Sequence, residues 1–201
     1  MSDIIIVDNF FPKLQERLLE ALTLSMDIKW FYKPQPEFDN RKLAYEFRKN
    51  DENIEHLNVG QFRHLIMERR KIYSSVYESH LYNLKSLIEE AFKVEVDIFE
   101  RMYFNLTTPI GIKTQKYGLP HTDMNSLKTK ILIYYINDCD GDTVIFDEYY
   151  GSSPNPAKKT ISQRISPKKS RAVMFYSNRY HTGSWPSEHT RRVLNVNFRV
   201  K

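Results

Sequence analysis

From Val94 to Val200 the chain carries no helical periodicity, only short segments rich in Val, Ile, Tyr and Phe broken by Gly, Pro, Asn and Asp. They run Val94 to Leu106, Lys130 to Ile136, Thr143 to Phe146, Thr160 to Ile165, Arg171 to Tyr176 and Arg192 to Val200. Strands at this spacing, with no helix between them to carry a parallel crossover, predict an antiparallel sandwich or jelly roll.

The preceding half reads differently. After an apolar strand at Ile4 to Val7, Pro12 to Met26 places Leu14, Leu18, Leu19, Leu22 and Met26 at three- and four-residue spacing, which predicts an amphipathic helix. A second helix is expected over Ser74 to Phe92, with Val76, Leu81, Leu84, Leu87, Ile88 and Phe92 as its apolar stripe. Residues 27 to 60 are polar and aperiodic, expected to be a long loop with one short strand or helical turn. The expectation is one α+β domain over 1–201, with helices and loops (1–93) packed outside a jelly-roll core (94–201).

No window approaches the roughly 18 to 20 unbroken apolar residues that span a bilayer, so no membrane partner is expected. Met1 to Asn9 has four apolar residues between aspartates and no basic leader, unlike a secretory signal. With Cys139 as the single cysteine, a reducing, cytoplasmic setting is expected. The formal net charge is +5, and Pro156 to Arg171 carries Lys158, Lys159, Arg164, Lys168, Lys169 and Arg171 with no acid. That stripe is either a solvated hairpin face or a surface for nucleic acid or an acidic partner.

His121 and Asp123 stand two residues apart at the edge of a strand-like segment, where a period of two sends both side chains to one face. An antiparallel sheet can bring His181 to them, 58 residues past Asp123. Two imidazoles and one carboxylate leave coordination positions open, as in non-haem Fe(II) oxygenases, although zinc accepts the same ligands. His189 competes with His181, but it stands two residues before Arg191. His56, His64 and His80 lie in polar or helical surroundings that suit surface or satisfied histidines.

His121-Thr122-Asp123, Ile133-Tyr134-Tyr135-Ile136-Asn137, Gly141-Asp142-Thr143-Val144-Ile145-Phe146, Tyr180-His181 and Thr190-Arg191-Arg192-Val193-Leu194-Asn195-Val196-Asn197-Phe198 occur in that order. This series resembles the 2-oxoglutarate/Fe(II)-dependent dioxygenase superfamily, most of all its prolyl 4-hydroxylase-like branch and the short members found in phages. Ile6 to Pro12 before a helix is similar too. The resemblance implies a double-stranded β-helix with Fe(II) on His121, Asp123 and His181, and 2-oxoglutarate and O2 as co-substrates. It also implies hydroxylation of a C–H bond, on a protein side chain such as proline, with release of succinate and CO2.

It further implies that an arginine ten residues past the distal histidine, here Arg191, receives the far carboxylate of 2-oxoglutarate as a bidentate partner. Arg192 competes, since strand neighbours face opposite ways. If Arg191 points inward, Val193, Asn195 and Asn197 share its face, and Leu194, Val196 and Phe198 pack outside under the helices. Tyr135 is implied as a second contact to that carboxylate, and equally suits a core aromatic. Tyr103 and Asn105 are candidates for the near end of the co-substrate. Where the family often has two glycines, Asp142 follows Gly141. A non-catalytic jelly-roll module and a nucleic-acid-directed oxygenase using 156–171 are the alternatives. Residues 27–60, the turn Tyr149 to Pro156, Arg179 and Trp185 are candidates for the substrate entrance.

Overall fold

The computed structural model describes residues 3–33, 41–54, 61–152 and 159–201, and the side chains from residue 45 onward in the second of these stretches. The elements run β1 (Ile5–Val7), α1 (Lys13–Leu24), β2 (Phe31–Lys33), α2 (Arg41–Asn50), β3 (Gln61–Glu68), β4 (Lys71–Ile72), α3 (Val76–His80) and α4 (Leu84–Phe92). They continue β5 (Val96–Thr107), β6 (Thr129–Tyr135), β7 (Thr143–Tyr149), β8 (Ile161–Ile165), β9 (Ala172–Tyr176), β10 (Arg179–Gly183) and β11 (Arg191–Val200). All strand pairs are antiparallel. The larger sheet has the order β1-β9-β6-β11-β5-β3-β2, with β4 on β3, and the smaller has the order β10-β7-β8. This is the expected jelly roll.

The period of two along β11 divides its side chains as expected. Leu194, Val196 and Phe198 join Phe10, Phe11, Leu19, Ile88 and Phe92 in a core between the large sheet and the helices. Val193 turns the other way and packs with Ile131, Ile133, Tyr135, Val173, Phe175 and, from the small sheet, Ile145 and Ile165. The small sheet therefore seals the β9–β6–β11 half of the large one. On the β5–β3–β2 half the corresponding inner positions are polar: Arg101, Tyr103 and Asn105, then Gln61 and Arg63, then Lys33 line a cavity instead.

Several expectations are corrected. In α1 only part of the expected stripe faces the core: Leu19 is buried and Leu22 packs against the core, but Leu14 and Leu18 are exposed, as is Met26 just beyond the helix. The buried face is completed by Glu16 and Thr23. The reason is polar partners supplied from far along the chain, Lys169 in the turn before β9 and Arg192 on β11. Lys169 pairs with Glu16 and Glu20, and Arg192 Nη1 donates to Thr23 Oγ1 at 2.9 Å. The helix over 74–92 is broken at Leu81–Asn83 into α3 and α4, although Val76, Leu81, Leu84, Ile88 and Phe92 are all buried. Within 27–60, expected to be a loop with one short strand or helical turn, the described residues hold the short strand β2 but also the ten-residue helix α2, and the β3–β4 hairpin and β10 are elements beyond those expected.

The basic stripe is largely consumed internally. Lys168 and Arg171 bind Asp8 at 2.8 and 2.7 Å, and Lys169 takes the two α1 glutamates. Arg164 donates to the Gln115 carbonyl at 2.6 Å, and Lys159 lies 4.2 Å from the Tyr180 ring centroid. Residues 153–158 lie outside the described residues. No described helix is long and apolar enough to cross a membrane.

Phe11 anchors the N-terminal segment, edge-on to Tyr134 at 4.7 Å and to Phe10 at 4.9 Å. Phe11→Ala should lower unfolding free energy by about 3–5 kcal/mol, whereas exposed Leu18→Ala should stay within about 0.5 kcal/mol. Denaturant titration of both variants checks this. Equal losses would return Leu18 to the core.

Candidate active site

Between β5 and β6 the chain runs extended past β10. His121 and His181 face each other in a two-residue antiparallel bridge, the His121 N–H donating to the His181 carbonyl at 3.0 Å and the reverse bond at 2.9 Å. Their rings lie 4.7 Å apart. Two residues on, the Asp123 N–H donates at 2.9 Å to the carbonyl of Ser177, in the turn that leads from β9 into β10, which brings the carboxylate beside the two rings. The donor atoms of His121, Asp123 and His181 all lie within 4.8 Å of one another.

Each ring is oriented from behind. His121 Nδ1 sits 3.2 Å from the Leu119 carbonyl, and His181 Nδ1 sits 3.0 Å from that of Arg179. A carbonyl only accepts, so Nδ1 carries a hydrogen on both histidines, which leaves Nε2 as the nitrogen turned toward a ligand. Burial, reinforced by neighbouring His181, pulls the His121 pKa down to about 4, leaving a neutral ligand at neutral pH. Burial alone would raise the Asp123 carboxyl. Arg101, the two imidazoles and the Asn197 amide more than offset it and hold that group well below the usual carboxylate range. Arg101 Nη2 lies 3.0 Å from Asp123 Oδ1, and Asn197 Nδ2 donates to Oδ2 at 3.0 Å. With both oxygens tethered, the carboxylate cannot turn away from the histidines. A donor set of two imidazoles and one carboxylate suits a divalent first-row metal.

The cavity holding these groups encloses about 290 Å³. Arg191 is in its wall, its guanidinium pinned by Nε donating to the Gly141 carbonyl at 2.8 Å and Nη2 to Thr143 Oγ1 at 2.8 Å. Tyr135 is also placed on Thr143, its hydroxyl donating to Oγ1 at 2.6 Å, but it stands behind the wall and does not line the cavity. An oxygen that accepts from both groups keeps only its own O–H to offer, so the Thr143 hydroxyl is left as a donor beside the guanidinium. Arg192 points away, toward α1.

Tyr103 and Asn105 both line the cavity. The face of Tyr103 lies 4.0 Å from the Arg63 guanidinium and 5.1 Å from that of Arg101. Of the entrance candidates, Trp185 is in the wall, whereas Arg179 is absorbed by the Phe146 carbonyl and Ser162. His189 is not in the wall and His64 bonds Ser74.

Arg101, Thr143 and Arg63 were not singled out from the sequence. Arg101 shares its strand face with Tyr103 and Asn105 and was open to the same alternation. Arg63 lies on a strand that was not recognised.

No protein-family model matches the chain. The fold is that of the 2-oxoglutarate/Fe(II) oxygenases. A Burkholderia pseudomallei oxidoreductase of the 2OG-Fe(II) oxygenase family superposes with a TM-score of 0.63 at 12% identity, covering 98% of this chain and 85% of that one. A Pseudomonas putida prolyl-4-hydroxylase gives 0.56 at 14% identity, covering 99% and 93%. A Trichoplax adhaerens prolyl hydroxylase, solved with a hypoxia inducible factor peptide fragment, gives 0.57 at 13% identity, covering 99% and 84%. Among curated proteins, 86 residues are 33% identical to part of reticulocyte-binding protein 1 from Plasmodium vivax (strain Belem), spanning 42% of this chain and 3% of that one.

In metal-free protein His121 should appear by NMR as the neutral Nδ1–H tautomer at pH 6, titrating near pH 4. Because its folded pKa lies below the unfolded value, the contribution to stability is intact above about pH 6.5 and lost as pH falls through 4. Titration of His121 at the ordinary histidine value would mean the ring is not held as described.

Proposed function

We propose that this chain is an Fe(II)- and 2-oxoglutarate-dependent oxygenase that hydroxylates a C–H bond of a protein side chain such as proline, releasing succinate and CO2. The observation that carries this reading is the meeting, in one cavity, of a His-Asp-His donor set with a pinned arginine facing it.

His121, Asp123 and His181 would hold the metal, which with 2-oxoglutarate and O2 supplies the oxidising power for the C–H bond. The chain's own task is to place the diacid. Along the β7–β10 ladder, Thr143 pairs with Gly183 and Ile145 with His181. The clamp at Thr143 is therefore two residues, about 7 Å, from the backbone of His181. That offset suits a five-carbon diacid with one end at the metal and the other on Arg191. Arg191 offers its remaining N–H groups, and Thr143 its hydroxyl, to the far carboxylate as charge-assisted and neutral donors respectively. Tyr135 and the Gly141 carbonyl fix those two groups so that little rotamer entropy is lost on binding. Tyr103 and Asn105 flank the near end from β5.

Anaerobic titration of Fe(II)-loaded protein with 2-oxoglutarate should develop the weak visible charge-transfer band of the metal–2-oxo-acid chelate. His121→Ala or His181→Ala should remove metal binding. Arg191→Ala should keep the metal and weaken 2-oxoglutarate by about 10- to 100-fold, the scale of a lost charge-assisted pair. Arg192→Ala should leave 2-oxoglutarate affinity unchanged. A flat spectrum in protein shown to hold iron would sink the assignment.

A further inference from the structure

The inner face of the large sheet has one apolar half, sealed by the small sheet, and one polar half that lines the cavity. The polar half is strongly cationic. Lys33, Arg63, Arg101 and Arg191 stand in the cavity wall, against Asp123 as the carboxylate found there among the described residues. If the oxygenase reading holds, a divalent metal and a dianionic co-substrate cancel, so the excess of positive charge persists. Arg101 is paired with Asp123, and Arg191 faces the co-substrate.

Arg63 is different. It pairs in register with Asn105, which pairs with Val193 on β11, so it stands two strands, roughly 10 Å, beyond the strand that carries Arg191. Its Nε donates to Asn105 Oδ1 at 3.2 Å, and its guanidinium lies 4.0 Å from the Tyr103 ring centroid. Stacking on an aromatic face fixes a guanidinium's plane while leaving its edge available to a bidentate anion. Among the described residues no acid forms an ion pair with it, whereas the cations Lys168, Lys169 and Arg171 elsewhere on the chain all have one. Lys33 stands next to Arg63 in the wall.

A second cavity of about 540 Å³ adjoins the first and shares Lys33 and Arg63 with it. Its other walls include Phe31, Tyr32 and Tyr73, each more than half exposed. A cation site opening onto an apolar, aromatic shelf fits an extended chain carrying one anionic group and apolar neighbours. Single-stranded nucleic acid also stacks on aromatic residues. It needs a track of cations along its phosphates, however, and the chain's longest basic run is tied to Asp8, Glu16 and Glu20.

We propose that the substrate is an acidic peptide segment, with a carboxylate or phosphate group received by Arg63 beside Lys33 while its flanking residues lie on the Phe31–Tyr32–Tyr73 shelf. This rests on the oxygenase reading above and names the substrate class of that site.

The test uses full-length protein with Mn(II) and 2-oxoglutarate, so that no turnover occurs. The probes are four labelled peptides of one length that differ only beside a central proline: Glu, phosphoserine, Gln or Lys. Fluorescence anisotropy should show the Glu or phosphoserine peptide binding about tenfold or more tighter than the Gln and Lys peptides, the scale of one charge-assisted bond. The order of the first two separates carboxylate from phosphate. Arg63→Gln should erase the preference and Arg63→Glu should invert it, with wild-type affinity for 2-oxoglutarate retained in both. Uniform affinities, no binding by any peptide, or tighter binding of a single-stranded oligonucleotide than of either anionic peptide would overturn the proposal. Loss of 2-oxoglutarate binding in Arg63→Gln would overturn it too, by making Arg63 part of the co-substrate clamp. If wild-type protein binds 2-oxoglutarate but shows no anionic preference, only this proposal fails. If wild-type protein does not bind 2-oxoglutarate, the oxygenase reading fails with it.

Discussion

Two reciprocal backbone hydrogen bonds, between His121 and His181, hold the rest of the site in place. They tie the segment between β5 and β6 to the middle of β10, and the Gly118 N–H, donating to the Gly183 carbonyl at 2.9 Å, ties it again two residues further along. Each bonded residue also has its ring fixed through Nδ1 to a carbonyl two residues back along its chain. The same short stretch of backbone therefore sets position, ring orientation and tautomer at once. Asp123 follows because its N–H must find an acceptor, and Ser177 supplies one. A donor set built from main-chain constraints is rigid before any ligand arrives, which reduces the ordering cost of binding one.

Outward from this bridge, the large sheet sorts chemistry by strand. Over β9, β6 and β11 the inner face is apolar and capped by Ile145 and Ile165 of the small sheet. Over β5, β3 and β2 the inner face carries arginine, lysine, tyrosine, asparagine and glutamine, and stays open as the cavity. The boundary runs along β11, where Val193 faces the dry side while Arg191 and Asn195 line the cavity. A strand that serves both halves must be buried on both faces, and β11 is buried from Arg191 to Phe198. Arg191 is held there by Gly141 and Thr143, each of which accepts from one of its nitrogens, while its other N–H groups face the cavity. An unpaired guanidinium in that position would be costly.

Strand alternation in the last hundred residues was legible in the sequence. Alternation along 191–200 separates Arg191 from Arg192 and correctly assigns Leu194, Val196 and Phe198 to the helix-side core. The same alternation puts Tyr103 and Asn105 on one face. What was not legible depended on partners far away in the chain. The exposed leucines of α1 read as its core stripe because Lys169 and Arg192, some 150 residues later, are what draw Glu16, Glu20 and Thr23 inward. The basic run read as a free surface because its acids, Asp8, Glu16 and Glu20, stand at the other end of the sequence. Strand β3 escaped notice because its inner face carries Gln61 and Arg63, and a register shift between Leu65 and Met67 interrupts its alternation. Strand β10 is short, and its pairing with β7 is irregular between Arg179 and His181.

The single glycine at 141 follows from the same packing. A Cβ there would lie 3.0 Å from the Ser184 carbonyl oxygen, 3.1 Å from the Pro186 nitrogen and 3.1 Å from Arg191 Cδ. Two of those neighbours are backbone and cannot yield, so the strain would fall on Arg191, the group whose position matters most to the cavity. The next residue is under no such demand. The Asp142 side chain accepts from Ser166 Oγ at 3.0 Å and lies 3.9 Å from Arg164, while its carbonyl accepts from the Ser184 N–H at 2.8 Å. An aspartate in place of a second glycine is thus accommodated by bonds that brace the β7–β8 side of the loop. The backbone approach that seats Arg191 requires only the first.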